Sequence, residues 1–434
     1  MAWSARAIIA KLLDRVAVAR HADWLAVAVA VSLPWSTSAT VILIALWLVM
    51  LIGSLDVAAL RREISAPAGG LPVALWVLGA AGMLWAAAPL AERINGLSSF
   101  HKFLAIALLL AQFRRSDRGI WVLVGFLVSC TVLLLVSWGL ALIPDLPWQG
   151  RQRMGIVMFG IPVKDYISQS TMFTLCILGL AEGAFLAWQS ARRGLAFPLM
   201  LLALVFLANV FFIATSRTAL VAIPILLLLL GFRQLGWKGA AGMLIAIVVL
   251  ATASWSSSTH LRERVTNFFE EVRIYHIDAM STSAGERLDF WRKSVVFIAE
   301  APVFGHGTGS IREQFRQSGV GRIGEATNPH NQTFAMAIQL GLVGAAVLFA
   351  MWIAHLRVFR GPGLLAGIGL AVVVQNVISS LFNSSLFDFT HGWTYVWGVG
   401  VLGGMMLRAS ESSRHVALEP PRAGRHSPLV RSSA

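Results

Sequence analysis

His330 and Asn331 stand where a polar stretch meets a long apolar run, within the sequence Asn-Pro-His-Asn-Gln-Thr. An imidazole has an ordinary pKa of about 6.5, so His330 suits proton transfer near neutral pH. Asn331 is also a preferred residue type at helix N-caps, so a purely structural role for the pair is the alternative. A second boundary pair, Asp388 and His391, opens the last apolar run, and Asp388 is the second candidate base.

Two arginines and a lysine are further candidates, of which Arg217 and Lys164 stand at similar boundaries and Arg287 stands near the start of an amphipathic segment. Arg217 lies in Ala-Thr-Ser-Arg-Thr-Ala-Leu, in the very short connection between two apolar runs. Charged groups near hydrocarbon are functional by default, although an arginine that snorkels to lipid phosphates is the structural alternative. Arg287 precedes Trp291 by one helical turn, and its structural alternative is an ion pair with a neighbouring carboxylate. Lys164 stands at the entry to another apolar run and is a candidate to face a site.

The composition predicts a lipid-embedded chain. Of its 434 residues, 57% are hydrophobic and 13% are charged, against about 25% charged in soluble proteins. Apolar runs of about 20 residues match the thickness of the hydrocarbon core. The net charge of +14 fits Lys- and Arg-rich cytoplasmic loops and does not require nucleic acid. Cys130 and Cys176 lie inside apolar runs without metal-ligand spacing and are predicted to be buried apolar residues.

The hydropathy pattern predicts an all-α polytopic membrane protein with about twelve spans. Their ranges are 24–38, 39–55, 71–89, 99–113, 119–143, 166–190, 196–214, 218–232, 239–254, 331–355, 362–382 and 389–407. Basic pairs then fall on alternate loops, which predicts that both termini are cytoplasmic. The predicted organisation is a cytoplasmic N-terminus (1–23), spans 1–9 (24–254), a periplasmic helical loop (255–330), spans 10–12 (331–407) and a disordered cytoplasmic tail (408–434).

The large external loop is predicted to contain an amphipathic helix that ends before Pro302. Its apolar spacing is carried by Leu288, Trp291, Val295 and Ala299. Alternating glycines from Gly305 to Gly309 then allow sharp turns. Helices packed over the membrane face would roof a cavity. Residues 255–330 hold nine basic and nine acidic side chains, so any anion site must use a few selected arginines.

Several common cofactor motifs are absent from the sequence. It has no Gly-x-x-x-x-Gly-Lys phosphate loop, no His-Glu-x-x-His zinc motif and no Asp-x-Asp pair. These absences argue against the use of ATP, against a metalloenzyme and against a cytosolic activated substrate, and no cofactor is predicted.

The order of the motifs resembles the bacterial O-antigen ligase family. The resemblance rests on the Ser-Arg-Thr-Ala-Leu turn, the later Glu-Arg…Trp…Pro-x-x-Gly-x-Gly-x-Gly segment, and Pro-His-Asn-Gln-Thr leading into Gly-Leu-Val-Gly. It covers about residues 160–400 by motif and the whole chain by topology. The same superfamily includes O-antigen polymerases and protein O-oligosaccharyltransferases.

This resemblance implies a glycosyltransferase-C-like fold and metal-independent, inverting transfer. The donor would be an undecaprenyl pyrophosphate-linked O-antigen, and the acceptor a sugar hydroxyl of lipid A-core, at the periplasmic face of a Gram-negative inner membrane. Arg217, Arg287 and His330 would be catalytic, with both arginines on phosphate oxygens. His330 would act as the base on the acceptor hydroxyl, or would instead orient the acceptor or bind phosphate. The further predicted substrate-binding residues are Lys164, Asn331, Trp291, Asp388 and His391.

Three other functions stay open. An O-antigen polymerase would use the same donor with another lipid-linked glycan as acceptor, and a protein oligosaccharyltransferase would use a protein. A transporter or flippase would bind its cargo near mid-membrane, often within repeated halves. The intramembrane polar residues for such a site are Glu182, Asn209, Gln375 and Asn376, but the sequence shows no internal repeat.

Overall fold

The computed structural model describes residues 15–143, 160–257, 283–319 and 326–418, with isolated positions between 152 and 157, between 259 and 273, and at 324. Parts of the predicted external loop and residues 419–434 of the predicted tail therefore lie outside the described residues. The regular secondary structure of the described residues is helical except for a two-residue antiparallel ladder of β1 (Gln152–Arg153) with β2 (Ile156–Val157).

Fifteen helices follow one another in the described residues. They are α1 Arg15–Ser32, α2 Thr37–Ser54, α3 Val57–Ser65, α4 Pro67–Gly82, α5 Leu90–Ser98, α6 Lys102–Phe113, α7 Gly119–Leu142, α8 Tyr166–Gln189, α9 Arg193–Phe212, α10 Arg217–Ser257, α11 Ser283–Glu300, α12 Ile311–Ser318, α13 Gln332–Val358, α14 Leu364–Phe382 and α15 Phe389–Leu418.

Eight of the described helical segments are long and apolar enough to cross a membrane, or nine if the pair α3 and α4, bent by 86°, forms one span. One of the eight, α10, is interrupted at Gly236, where φ is 63°, and therefore contains two of the twelve predicted spans. Gly231 and Gly239 meet across this interruption, which shows that the chain folds back there. The chain is thus a multi-pass helical membrane protein in which eight or nine spans meet the length and composition requirement.

The first described helix already includes Arg15, nine residues before the predicted span 24–38, and it ends at Ser32. Asp23, which lies in the predicted N-terminal segment, is part of this helix because its carboxylate finds partners. Asp23 is buried and accepts hydrogen bonds from Gln112 Nε2 (2.9 Å) and Ser116 Oγ (2.8 Å).

The ends of two other predicted segments also shift. The predicted span 71–89 corresponds to α4, which stops at Gly82. Arg93 stabilises this end, since its guanidinium donates to the carbonyls of Met83 (3.0 Å) and Ala88 (2.7 Å). The last helix, α15, continues to Leu418, so it includes the first part of the predicted tail.

A group of linked ion pairs around Arg114 lies at one end of the bundle. Glu63 is buried and accepts from Arg114 Nη1 at 2.8 Å, and Arg114 also pairs with Glu411. Arg114 follows the C-terminal end of α6, whereas Lys102, at the N-terminal end of the same helix, bonds the carbonyl of Asp388 (2.7 Å). The ion pairs of Arg114 with Glu63 and Glu411 and the Asp388 region therefore lie at opposite ends of the bundle.

Helix α13, which follows His330, is broken at Gly341, where φ is 64°. The segment after α11 fills this break with backbone hydrogen bonds. These run from His306 N–H to Ile338 O (2.8 Å), Gly307 N–H to Gln339 O (2.9 Å), Leu342 N–H to Pro302 O (2.8 Å) and Val343 N–H to Val303 O (3.3 Å). Since unsatisfied backbone groups are costly at membrane depth, these bonds make the break tolerable. They also tie the external segment to the helix that carries His330.

The amphipathic helix predicted before Pro302 is confirmed as α11, and the glycines from Gly305 to Gly309 adopt positive φ angles. Its predicted apolar face is partly wrong, because Leu288 and Val295 are exposed. Phe290 and Phe297 are buried instead, where they pack on Phe315 of α12. The aromatic contacts to α12, which the spacing alone does not reveal, select this face.

Candidate functional site

The backbone of His330 is left-handed, with a φ of 53°. This conformation is uncommon for a residue with a side chain and is found preferentially where surrounding structure enforces it. Here the His330 N–H donates to Asn328 Oδ1 (2.8 Å), and the same oxygen accepts from Ser384 Oγ (2.7 Å). Asn328 thereby joins the histidine to the segment between α14 and α15.

The ring of His330 is oriented by Asn383. Its Nδ1 lies 3.3 Å from Asn383 Oδ1, and that oxygen also accepts the Ser384 N–H at 3.0 Å. Because Asn383 presents an acceptor, the neutral histidine carries its proton on Nδ1, which leaves a lone pair on Nε2. Phe290 packs against the ring at 6.1 Å between centroids, nearly parallel to it.

The pKa of His330 is held below its ordinary value. Burial is the largest cause, the nearby positive charge of Arg287 adds to it, and the Asn383 hydrogen bond and the charge of Glu286 oppose it. His330 is therefore neutral near pH 7, the form that can accept a proton. Because the charge of Arg287 acts on His330, two of the three predicted catalytic residues lie close enough to interact electrostatically.

Asn331 caps α13, which confirms the capping role that was predicted as the structural alternative for this residue. Its Oδ1 accepts the N–H groups of Thr333 (2.9 Å) and Phe334 (3.1 Å), and its Nδ2 donates to Leu381 O (3.3 Å). A direct contact of Asn331 with substrate stays a prediction. Trp291 lies against Phe334, with ring centroids 6.3 Å apart, and its role in substrate binding stays a prediction as well.

Two buried side chains hold the segment 383–388, which presents Asn383. Gln332 Oε1 accepts the N–H groups of Leu386 (2.9 Å) and Phe387 (3.3 Å). Lys102 Nζ donates to the carbonyls of Phe387 (3.2 Å) and Asp388 (2.7 Å). These contacts fix the segment on α6 and α13 and thereby fix the position of Asn383.

Arg217 is the first residue of α10 and is half-buried. Ser216 caps the helix, accepting from the Ala219 N–H (3.1 Å), and its hydroxyl lies 2.7 Å from that of Ser170 in α8. On the next residue of α8, the carbonyl of Thr171 accepts from Gln375 Nε2 of α14 (2.7 Å). The start of α10 and the C-terminal half of α14, which leads to Asn383, therefore meet on the same turn of α8.

A second cluster surrounds the start of α15. Lys164 is buried, and its Nζ donates to Thr37 Oγ1 (2.9 Å) and lies 5.6 Å from the ring centroid of Phe389. His391 Nδ1 lies 3.4 Å from Asp388 Oδ1, which also accepts the His391 N–H (2.9 Å). The structure thus places three predicted substrate-binding residues, Lys164, Asp388 and His391, around the start of α15. Asp388 and His391 follow Asn383 in the chain by five and eight residues.

Asp165 belongs to the same cluster. Burial raises the pKa of this carboxyl, but the backbone N–H and the hydroxyl of Ser168 and the charge of His391 outweigh burial, so the pKa lies below its ordinary value. Asp165 is therefore ionised and caps α8. A carboxylate beside Lys164 and His391 limits the positive charge of this cluster.

The residues that orient His330 were not found from the sequence. More than 50 residues separate Asn328 from Asn383 and Ser384 in the chain, and no periodicity connects these positions. The available signals were Asn-Pro immediately before His330 and an Asn-Ser-Ser sequence at the end of an apolar run. Both are also common turn sequences.

Residues 202–349 match a family model described as O-Antigen ligase. The matched stretch is about a third of the chain and contains Arg217, Arg287 and His330. The match confirms the resemblance to the O-antigen ligase superfamily, whose members are glycosyltransferase-like enzymes that act on glycans. No curated protein matches the chain.

Proposed function

We propose that this chain, which carries the O-antigen ligase family sequence in residues 202–349, transfers O-antigen polysaccharide from undecaprenyl pyrophosphate to a sugar hydroxyl of lipid A-core. One observation carries the proposal most strongly. Within the matched segment, a neutral histidine with its Nε2 lone pair available lies within the electrostatic reach of an arginine. This pair suits the removal of a proton from a hydroxyl beside an anionic leaving group.

The proposed step is a single displacement. The acceptor oxygen forms a bond to the anomeric carbon from the face opposite the pyrophosphate, while the bond between that carbon and the pyrophosphate oxygen breaks. The electron pair leaves with undecaprenyl pyrophosphate, and the acceptor proton moves to His330 Nε2. The product glycan therefore has the opposite anomeric configuration.

Arg217 and Arg287 are the proposed ligands of the pyrophosphate. A guanidinium is permanently charged and can contact two phosphate oxygens at once. Placed where negative charge develops, one such contact contributes about 3 kcal/mol to transition-state stabilisation. The equal numbers of acidic and basic residues in 255–330 support a site built from selected arginines rather than from a basic surface.

The proposed topology has both termini in the cytoplasm and His330 on the periplasmic side, with about twelve spans. This topology is supported by the position of Arg62 and Arg114, which pair with Glu63 and Glu411 at the end of the bundle opposite the Asp388 region. Basic residues favour the cytoplasmic side. In this topology α11 and α12 form the roof of a periplasmic cavity.

The polar residues that would suit a transporter have structural partners. Asn209 Nδ2 donates to Ser137 Oγ (2.9 Å), and Asn376 accepts from Trp352 Nε1 (3.2 Å). Glu182 lies 3.5 Å from Arg233, and Gln375 bonds the backbone of α8. The break at Gly341 is filled by the chain itself. These contacts support transfer over transport.

Reconstitution tests the proposal and its alternatives. The purified protein in liposomes receives the lipid-linked donor with lipid A-core, with more donor alone, or with an acceptor protein. A covalent glycan–lipid A-core product supports the ligase. Chain extension without lipid A-core supports a polymerase, glycosylation of the protein supports an oligosaccharyltransferase, and movement of the donor across the bilayer without a covalent product supports a flippase.

A further inference from the structure

A polar pocket of about 230 Å³ lies beside the segment that holds His330. Asn328 and Ser384, which bond each other and fix the His330 backbone, both line it. We infer that this pocket binds the neutral sugar unit that carries the acceptor hydroxyl. The inference rests on the proposed function and adds to it a location for the acceptor.

The pocket has the groups that recognise a sugar. Glu92, Asn95 and Ser99 line it from α5 and the turn that follows, at the spacing of one helical face. The Asn95 amide and the Ser99 hydroxyl belong to this lining, and both are groups that can bond ligand hydroxyls. Phe387 adds an apolar surface. Ligand sites commonly combine an apolar surface with a few polar groups that fix orientation.

The charge of the pocket excludes the pyrophosphate as its natural occupant. Among its described lining residues, Glu92 and Arg312 carry charge, and they pair with each other at 2.8 Å. Their charges cancel, and the other polar lining groups are amides and hydroxyls. An anionic headgroup gains little in such a pocket, whereas a neutral sugar can use both the donors and the acceptors.

The neighbouring elements separate this pocket from the proposed donor side. The pocket is built by α5, the start of α12, the first turns of α13 and the segment 383–388. Arg217 starts α10, which contributes no lining residue, and its neighbour Ser216 bonds α8. Asn328 is shared by the pocket and His330. An acceptor bound here and a pyrophosphate bound at Arg217 would therefore approach His330 from different sides.

The floor of the pocket is rigid. Gly309 N–H donates to Gln339 Oε1 (2.8 Å), and Gln339 Nε2 donates to Ala335 O (3.0 Å). Gly96 packs directly on the backbone of Gly309, leaving no room for a Cβ atom. A preformed floor lowers the entropy cost of binding.

The test uses Asn95→Trp, which fills the pocket from an exposed position, and Ile94→Trp as the matched control. Ile94 is the exposed neighbour on α5 and does not line the pocket. Initial rates of transfer are measured in liposomes while the lipid-linked donor and lipid A-core are varied separately. Asn95→Trp is expected to raise the KM for lipid A-core at least about ten-fold and to leave the KM for the donor unchanged, because the donor anion binds elsewhere.

Thr327→Trp, which fills the pocket from the exposed Thr327 position of another lining segment, is the second variant, and thermal unfolding verifies that each variant is folded. Direct binding of lipid A-core to the donor-free protein provides a readout that does not depend on transfer.

If wild type transfers glycan but both variants keep the wild-type KM for lipid A-core, or raise the KM for the donor instead, the inference is overturned and the ligase function stands. If wild type binds lipid A-core through this pocket without transferring glycan, the ligase function fails and the binding site stands. Absence of binding to wild type overturns the inference.

Discussion

His330 Nδ1 and Asn383 Oδ1 lie 3.3 Å apart although 53 residues separate them in the chain. This contact determines which ring nitrogen of the neutral histidine carries the proton, and it leaves Nε2 as the proton acceptor. Gln332 of α13 and Lys102 of α6 hold the segment after α14 that presents Asn383. The orientation of the His330 imidazole therefore depends on α6, α13 and α14.

Replacing Asn383 with leucine should impair the chemical step more than substrate binding. The ring of His330 would lose its fixed orientation and tautomer, so kcat should fall at least about ten-fold while the KM for the donor changes little. Steady-state transfer in liposomes measures both constants. Asn383→Asp keeps an acceptor at Nδ1 and should retain more activity than Asn383→Leu. Equal losses in the two variants would argue against an orienting role.

The pH dependence of transfer should report the pKa of His330. Because burial and Arg287 lower this pKa, the neutral base persists below pH 6.5 and kcat/KM should fall only as the pH decreases further. Arg287→Gln removes a positive charge and should move the acidic limb to higher pH. Glu286→Gln removes a negative charge and should move it to lower pH. Shifts in the same direction for both variants would contradict this electrostatic account.

The glycine segment between α11 and α12 should be essential for stability. Gly307 has a φ of 87°, and a Cβ atom there would overlap the backbone of Ala86. Gly307→Ala should therefore destabilise the protein by about 1–3 kcal/mol, measured as a lower Tm in detergent. Gly139→Ala provides the control, because a Cβ atom at this helical position meets nothing within 4 Å. An unchanged Tm for Gly307→Ala would refute the proposed close packing.

Gln332 should stabilise the segment 383–388 through its side-chain oxygen. Gln332→Leu leaves the N–H groups of Leu386 and Phe387 without an acceptor in a buried region, which costs about 1–3 kcal/mol for each unsatisfied group. Gln332→Glu keeps the acceptor and should be closer to wild type in Tm. The reverse order of the two variants would show that another interaction dominates at this position.

The helices and several of their ends could be predicted from the sequence because they depend on local features. Long apolar runs gave the membrane-spanning helices, the helix before Pro302 ends where expected, and Asn331 has the residue type of a helix cap. The break at Gly341 could not be predicted, since the groups that fill it come from residues 302–307, more than 30 positions earlier.

The candidate site could be predicted only in part for the same reason. Arg217 and His330 stand out by residue type and by their positions at the ends of apolar runs, and Arg287 by its position near the start of the predicted amphipathic helix. Asn328 and Asn383 resemble ordinary turn residues, and their importance depends on contacts between distant segments. The buried face of α11 also depends on such contacts, because Phe290 packs on Phe315 of the following helix.

The most direct test of the account measures single-turnover transfer by His330→Ala, with and without added imidazole, and compares it with wild type. The account predicts that His330→Ala is at least about a hundred-fold slower, since a positioned general base contributes about that much or more. Imidazole that enters the vacated position should restore part of the rate, with a dependence on the concentration of its neutral form. A wild-type rate for folded His330→Ala would contradict the assignment of His330 as the proton acceptor.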